Sequence, residues 1–223
     1  VKLYKTERDI KKSIMKSYKA ILYDIDGTLL NTLNMNMYPL IQIIKEELNE
    51  DWTFEEVLRF VPYPGMKVLE ELGIQNREEV YERWVRYVNE YEERAILYDG
   101  FEEVLESFKR AGMIQAIVTS KTEKLYQEDV VSQGIDAYMD TAVLANDTKK
   151  HKPDPEPLLE CLRRLDLSPE DAIYIGDSLS DYQAARNASM DFGYAVWGSV
   201  CGDGIDNPDY IFREPKELLT LLS

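Results

Sequence analysis

The chain is poor in the residues on which most metal and redox chemistry depends. Its 223 residues include one histidine and two cysteines. With His151 standing alone, any site that needs a pair of histidines is excluded. Cys161 and Cys201 lie far apart and in no metal-binding spacing. Positive charge is scarce: 26 Lys and Arg face 42 Asp and Glu, a net charge of −16. Such a surface disfavours nucleic acid and anionic membranes as partners. It also repels a phosphorylated substrate, unless a metal, a lysine or backbone amides make the site locally positive. No apolar run is long enough to span a bilayer, and no signal-peptide pattern is present. The expectation is a cytoplasmic protein with reduced thiols. Internal repeats and low-complexity segments are lacking too. What is there, 44% hydrophobic and 30% charged residues, suits a globular chain of one large domain or a domain with an insertion.

One stretch organises the rest. Ala20-Ile21-Leu22-Tyr23 is short and apolar, and Asp24-Ile25-Asp26-Gly27-Thr28 follows it. This pattern predicts a buried strand that stops at a turn. Alternate side chains in a strand share a direction, so Asp24 and Asp26 point the same way at its carboxyl end. Ligands bind at that end in open α/β sheets. Paired carboxylates repel and call for a cation, a shared proton or solvent. Asp and Gly are equally ordinary turn residues, so the pentapeptide by itself leaves a solvated turn open.

Residues 1–19 carry seven Lys or Arg against two acids, with Ile10, Ile14 and Tyr18 at helical spacing. This predicts a short amphipathic helix on the domain edge, with a basic arm for a partner as the alternative. Beyond Asn31-Thr32, a candidate helix cap, the pattern is helical to about Tyr98, and no strand is expected there. Leu40, Ile43, Ile44 and Leu48 mark one helix; Phe54, Val57 and Leu58 mark another. Residues 61–65 form a loop. Met66–Leu72 resumes helix, with Gly73 as its stop. Val80, Trp84, Val85, Val88 and Tyr91 form a long stripe. From Asp99-Gly100 onward strands and helices alternate. Strands are expected at Ile114–Val118, Thr141–Ala145, Ala172–Ile175, about Phe192–Val196 and Tyr210–Phe212. Helices are expected at Phe101–Arg110, to about Val131, from Asp154-Pro155 to about Leu165, from near Leu179, and at Pro215–Leu222. The alternation argues for an α/β fold with a doubly wound parallel sheet. Residues 1–32 and 98–223 would form this core, with residues 33–97 as a small all-helical cap.

Strand ends now carry Asp24 and Asp26, Thr119, Asp177 and, beyond a loop, Lys152. If these strands are neighbours, the groups meet at one edge and suggest phosphoryl transfer. Thr119, Lys152 and the backbone near Gly27 and Ser120 would surround phosphate oxygens. Asp24 and Asp177 offer hard oxygen ligands for Mg²⁺. One carboxylate can attack phosphorus while another moves a proton.

Asp-Ile-Asp-Gly-Thr-Leu, Val-Thr-Ser-Lys, His-Lys-Pro-Asp-Pro and Ile-Gly-Asp-Ser-Leu-Ser-Asp occur in that order. Together they resemble the haloacid dehalogenase-like hydrolase superfamily over residues 20–222. The helical insertion is similar to the cap of the branch holding phosphoglycolate phosphatase, bacterial pyrophosphatase and β-phosphoglucomutase. Val196-Trp197-Gly198 and the closing segment resemble the phosphoglycolate phosphatase-like members. The resemblance implies Asp24 as nucleophile and metal ligand. It makes Asp26 the general acid and base, with its backbone carbonyl on the metal. Thr119, with Ser120 and Gly27, would hold the phosphoryl group. Lys152 would balance its charge, Asp177 would bind Mg²⁺ directly, and Asp181 would stand behind the metal. Two departures stand out: Asn31 where the family often has Asp, and Ser189 where a Gly commonly ends the preceding helix.

The implied activity is Mg²⁺-dependent hydrolysis of a small phosphorylated metabolite, phosphoglycolate-like or a sugar phosphate, by a monomer or homodimer. The rivals are a sugar-phosphate mutase, an inorganic pyrophosphatase and a non-catalytic binding module. Tyr63, Gly65 and Lys67, around the proline-rich loop, are the candidates for substrate choice. Lys67 would meet a carboxylate or second phosphate, or else lie on the surface.

Overall fold

The computed structural model of the chain describes residues 16–61, 63 and 65–222. Strand β1 (Ala20–Tyr23) is buried along its whole length. A strand apolar on both faces belongs at the centre of a parallel sheet, and β1 is there. β4 (Ile114–Val118) pairs with it on one side and β6 (Ala172–Gly176) on the other, both parallel. With β5 (Thr141–Val143), β7 (Asp191–Ala195) and β8 (Tyr210–Phe212), they form one six-stranded sheet in the order β5-β4-β1-β6-β7-β8. The chain builds leftward from β1 to β4 and β5, then crosses to β6. The order therefore reverses beside β1, the switch point at which open α/β sheets bind ligands. Tyr23 lies level with Ile117 and with Ile175, so the three central strands end together.

Alternation along the strands sends side chains to two apolar layers. Ile21, Tyr23, Ile117, Ile173 and Ile175 face one, packed against Phe101, Val104, Leu105 and Phe108. The last four are the buried stripe of α5 (Phe101–Ala111). Leu22, Ala116, Val118 and Tyr174 face the other, under Leu158 and Leu162 of α7 (Glu156–Leu165) and Ala184 and Ala185 of α8 (Leu179–Asn187). α7 starts one residue later than expected, with Pro155 in the cap position, and Asp154 Oδ1 accepts from the Glu156 amide at 3.0 Å. α6 (Glu123–Asp129) follows β4. The closing segment Pro215–Leu222 is 3₁₀ rather than α.

Between β1 and β4 come α1 (Leu33–Leu48), α2 (Phe54–Val57), α3 (Gly65–Glu71) and α4 (Arg77–Glu90). Leu40, Ile43, Ile44, Val57, Leu69, Val80 and Trp84 form a third apolar cluster of their own. Met35 and Ala95, at the ends of this stretch, pack instead into the first layer of the sheet domain.

Two expectations need correction, and a third falls mostly outside the described residues. The stretch read as free of strands contains β2 (Leu30–Asn31) and β3 (Ile96–Leu97), paired antiparallel where the chain enters and leaves the helical unit. Two residues are too few to show a period, so the sequence conceals them. Gly65, read as loop, is the first residue of α3. The helix expected in residues 1–19 lies mostly outside the described residues; within them, Lys16–Tyr18 are not helical. Tyr18 is buried there, donating to Asp191 Oδ2 at 2.6 Å.

Candidate active site

Asp24 follows β1 directly and is buried, its amide donating to the Ile175 carbonyl at 2.9 Å. The chain then turns at Gly27, where φ is +77°. A Cβ on Gly27 would lie 2.4 Å from Asp177 Oδ2, so both the backbone and the space require glycine. Asp177, just past β6, also accepts from Thr28 Oγ1 at 3.1 Å. Asp181 is fully buried in the first turn of α8. Its Oδ2 takes the Ser178 hydroxyl at 2.5 Å and amide at 3.2 Å, closing a capping box. Gly176 makes room for it: a Cβ there would lie 2.5 Å from Asp181 Cβ.

Lys152 ties these groups together. Its ammonium donates to Asp24 Oδ1 at 2.8 Å, Asp181 Oδ1 at 2.6 Å and the Tyr174 hydroxyl at 3.0 Å. Tyr174 in turn lies 3.1 Å from the Val118 carbonyl, which anchors the lysine's partner to β4.

Burial pushes the Asp24 carboxyl up to about 7; Lys152 opposes the shift, while Asp181 and Asp26 add to it. Asp177 is raised well above the usual range by burial and then by Asp181 and Asp24. Burial works to lower the Lys152 ammonium, and the Asp181 and Asp24 charges more than reverse it. Carboxylate oxygens of Asp24, Asp177 and Asp181 all lie within 4.8 Å of one another. Three buried acids against one lysine leave an excess of negative charge. An all-oxygen donor set with no His or Cys fits a hard divalent cation.

The remaining predicted residues divide clearly. Thr119 is buried just past β4, its Oγ1 accepting from the Lys121 amide at 3.1 Å. Ser120 is exposed. Among the described residues, the amides of Asp26 and Ser120 have no protein acceptor. The Gly27 amide does have one, the Leu30 carbonyl at 2.9 Å, so Gly27 supplies space rather than a donor. Asp26 is partly exposed. Tyr63, Gly65 and Lys67 are not joined to the acidic cluster by any hydrogen bond or ion pair among the described residues. Tyr63 is exposed and Gly65 packs on Tyr81 and Trp84. Lys67 pairs with Glu70 at 3.0 Å and Glu71 at 3.1 Å. Two surface clefts, one lined by Asp147, Lys150 and Arg163, the other by Tyr38, Tyr87 and Tyr91, include none of the core residues.

Sequence reasoning passed over several neighbours. Tyr174 was hidden in an apolar strand. Lys121 stood in plain view after Thr119-Ser120, with no sign of its partners. Tyr98, just past β3, has its phenol pushed up to about 12 by burial and by the Asp177 and Asp26 carboxylates, which places it beside the site. Trp197 donates from Nε1 to the Thr28 carbonyl at 2.9 Å, and a Cβ on Gly198 would lie 1.7 Å from the Gly27 carbonyl oxygen. The loop after β7 is thus pressed onto the turn that follows β1.

The haloacid dehalogenase-like hydrolase family model matches residues 21–195. Pyrophosphatase PpaX of Bacillus velezensis is 29% identical over 207 residues, covering 92% of this chain and 96% of that protein. A Lactobacillus plantarum protein provisionally named a phosphoglycolate phosphatase is 28% identical with a TM-score of 0.84, covering 92% of this chain and 99% of that one. CbbY of Rhodobacter sphaeroides, solved with phosphate, shares the fold with a TM-score of 0.74 at 21% identity, over 92% of this chain and 99% of that one.

Proposed function

The chain belongs to the haloacid dehalogenase-like hydrolase family, and on that premise we propose that it is a Mg²⁺-dependent phosphatase of a small phosphorylated metabolite, acting through a phosphoryl group carried on Asp24. One observation carries this reading. Asp24, Asp177 and Asp181 are gathered in a buried cluster that, among the described residues, only one lysine touches, Lys152.

Asp24 Oδ1 is held by Lys152, while no protein group donates to Oδ2 among the described residues. Oδ2 is therefore the nucleophile. Asp181 has both oxygens committed, to Lys152 and to Ser178, which suits a place behind the metal. Asp24, Asp177 and the Asp26 backbone carbonyl are the direct ligands in this reading. Bound there, Mg²⁺ offsets the crowded carboxylates and polarises the phosphoryl oxygens.

Asp24 Oδ2 forms a bond to phosphorus as the bond to the leaving oxygen breaks, and Asp26 gives that oxygen its proton. Asp26 then takes a proton from water as the water oxygen attacks phosphorus and Asp24 is released. Thr119 Oγ1 and the free amides of Asp26 and Ser120 hold the phosphoryl oxygens, and Lys152 balances their charge. The helices of residues 33–97 act as a cap that excludes water during the reaction and opens for release.

A second reading, pyrophosphate as substrate, is favoured by the relatives named pyrophosphatase. Phosphate release from pyrophosphate, phosphoglycolate and sugar phosphates, each with Mg²⁺ and with chelator, separates the two. Asp24→Asn is expected to abolish Mg²⁺-dependent release from every one of them. Retained activity in that variant overturns the mechanism. A phosphorylated sugar isomerised without release of phosphate would point to a mutase instead.

A further inference from the structure

Asp26 has a buried lysine of its own. Lys121 Nζ lies 3.0 Å from Asp26 Oδ1 and 2.7 Å from Asp129 Oδ2. The Lys121 and Asp129 side chains are only 9% and 10% exposed, whereas that of Asp26 is 39% exposed. Asp26 Oδ1 is itself buried and has no aligned hydrogen bond, so the exposure belongs to the other side of the carboxylate. The lysine grips the buried oxygen and leaves Oδ2 as the exposed one.

The grip is braced at both ends. The Lys121 amide donates to Thr119 Oγ1 at 3.1 Å, and its carbonyl accepts from the Ala145 amide at 2.9 Å. Asp129 is the last residue of α6, whose Tyr126 is rooted in the first apolar layer. Burial works to lower the Lys121 ammonium, and Asp26 and Asp129 more than reverse it, so the lysine stays charged. A lysine held by Asp26 alone would leave a long flexible chain beside a group that must reach a reacting oxygen. Asp129 fixes the ammonium and offsets its charge, so Asp26 gains a defined position without a naked cation next to it.

We infer that Lys121, clamped by Asp129, is a positioning residue that aims Asp26 Oδ2 at the leaving-group oxygen. The inference rests on the proposed role of Asp26 in proton transfer. As the phosphorus–oxygen ester bond breaks, the Asp26 proton passes to the departing oxygen while phosphorus bonds to Asp24. An alkoxide needs that proton; a stabilised phenolate hardly does. Misplacing Asp26 therefore penalises poor leaving groups and spares good ones.

The test is a series of aryl phosphates from p-nitrophenyl phosphate to phenyl phosphate, with phosphoglycolate as the alkyl member, followed by kcat/KM at saturating Mg²⁺. Lys121→Met is expected to lose about 100-fold on the poorest leaving group, the low end of general-acid catalysis, and under about 3-fold on p-nitrophenyl phosphate. Lys121→Arg restores most of the loss, and Asp129→Asn gives the same tilt to a smaller degree. If Lys121→Met does not fold, these two variants carry the test, with thermal melting as the control. Equal losses along the whole series overturn the inference, because a merely structural defect has no preference among leaving groups. Asp24→Asn, run alongside, separates the two failures. Activity in that variant defeats the proposed mechanism, whereas its inactivity together with parallel losses in the Lys121 and Asp129 variants defeats only the positioning role.

Discussion

In the sheet domain, Lys152 reaches across 128 residues of chain to Asp24, and both side chains are buried. In the helical unit, Lys67 stands in solvent and pairs with Glu70 and Glu71 of its own helix. Arg83 of α4 meets Glu46 and Glu47 of the adjacent α1 near the surface. The distances are alike, but the surroundings are not. In water a pair of this kind is screened and contributes little. Inside the protein, removing one partner leaves the other charge buried and alone. The Lys67 pairs therefore decorate one helix, whereas the buried Lys152 pairs hold distant strand ends in one arrangement.

Paired lysine variants put this contrast at greatest risk. Lys152→Met strips the cation from Asp24 and Asp181. It is expected to destabilise the chelated protein by about 3–5 kcal/mol in urea unfolding. Phosphate release should fall about 10²–10³-fold, the loss seen when one charge-stabilising donor is removed. Lys67→Ala should leave both the urea midpoint and p-nitrophenyl phosphate hydrolysis unchanged. A rise in KM confined to the physiological substrate would show that the substrate draws Lys67 away from its glutamates. If Lys67→Ala destabilised the protein as much as Lys152→Met, burial would not be what separates the two regions.

Proton linkage sharpens the same contrast. Folding raises Asp24 from 3.8 to about 7, and Asp177 moves the same way. Between about pH 4 and pH 7 the unfolded chain has already released protons that the folded, metal-free protein retains, so stability falls as pH rises through that window. The acids held low on the surface, Glu160 and Asp171 at about 2, act below this window. The chelated protein should thus melt several degrees lower at pH 7.5 than at pH 5. Asp24→Asn should flatten that fall, and Mg²⁺ should raise the melting temperature more at pH 7.5 than at pH 5. An unchanged fall in Asp24→Asn would mean that Asp24 is not its source and leave Asp177 to carry it.

The legibility of the sequence follows the same division. Strand ends were readable because each apolar run gives way to polar residues: Asp24, Thr119-Ser120 and, after Gly176, Asp177. The sheet order turned those stops into a site, and among its companions Lys152 and Asp181 had recognisable settings. Asp129 could not be found, since it sits among Glu123, Glu128 and other ordinary helix acids, and its pairing depends on how α6 returns to β4. The β2–β3 pair was too short to show a pattern. Lys67 was a fair candidate by position, but its glutamates three and four residues on already suggested a helix-surface pair. Side chains that act locally, or only through tertiary packing, leave no periodic trace.

Two helix ends give the finest version of the comparison. α3, in the helical unit, ends at Gly73 with φ +73°, and a Cβ there would meet nothing within 4 Å. α8, in the sheet domain, is followed by Ser189 at φ +58°, a left-handed position that glycine adopts more readily. Left-handed backbone costs an L-residue roughly 1–2 kcal/mol. Replacing it with glycine returns about 0.5–1 kcal/mol of that through the freer unfolded chain. Ser189→Gly should therefore stabilise by about 0.5–1 kcal/mol, or roughly 1–4 °C in a chain of this size. Gly73→Ser should destabilise by a similar amount. α8 leaves the active-site edge at Leu179 and runs back across the sheet, so Ser189 lies at the far end of its helix from Asp177 and Asp181. Neither change should alter turnover. If Ser189→Gly lowered turnover while raising the melting temperature, α8 would be transmitting strain to Asp181. The buried ion network would then depend on the strained end of the helix as well as on its cap.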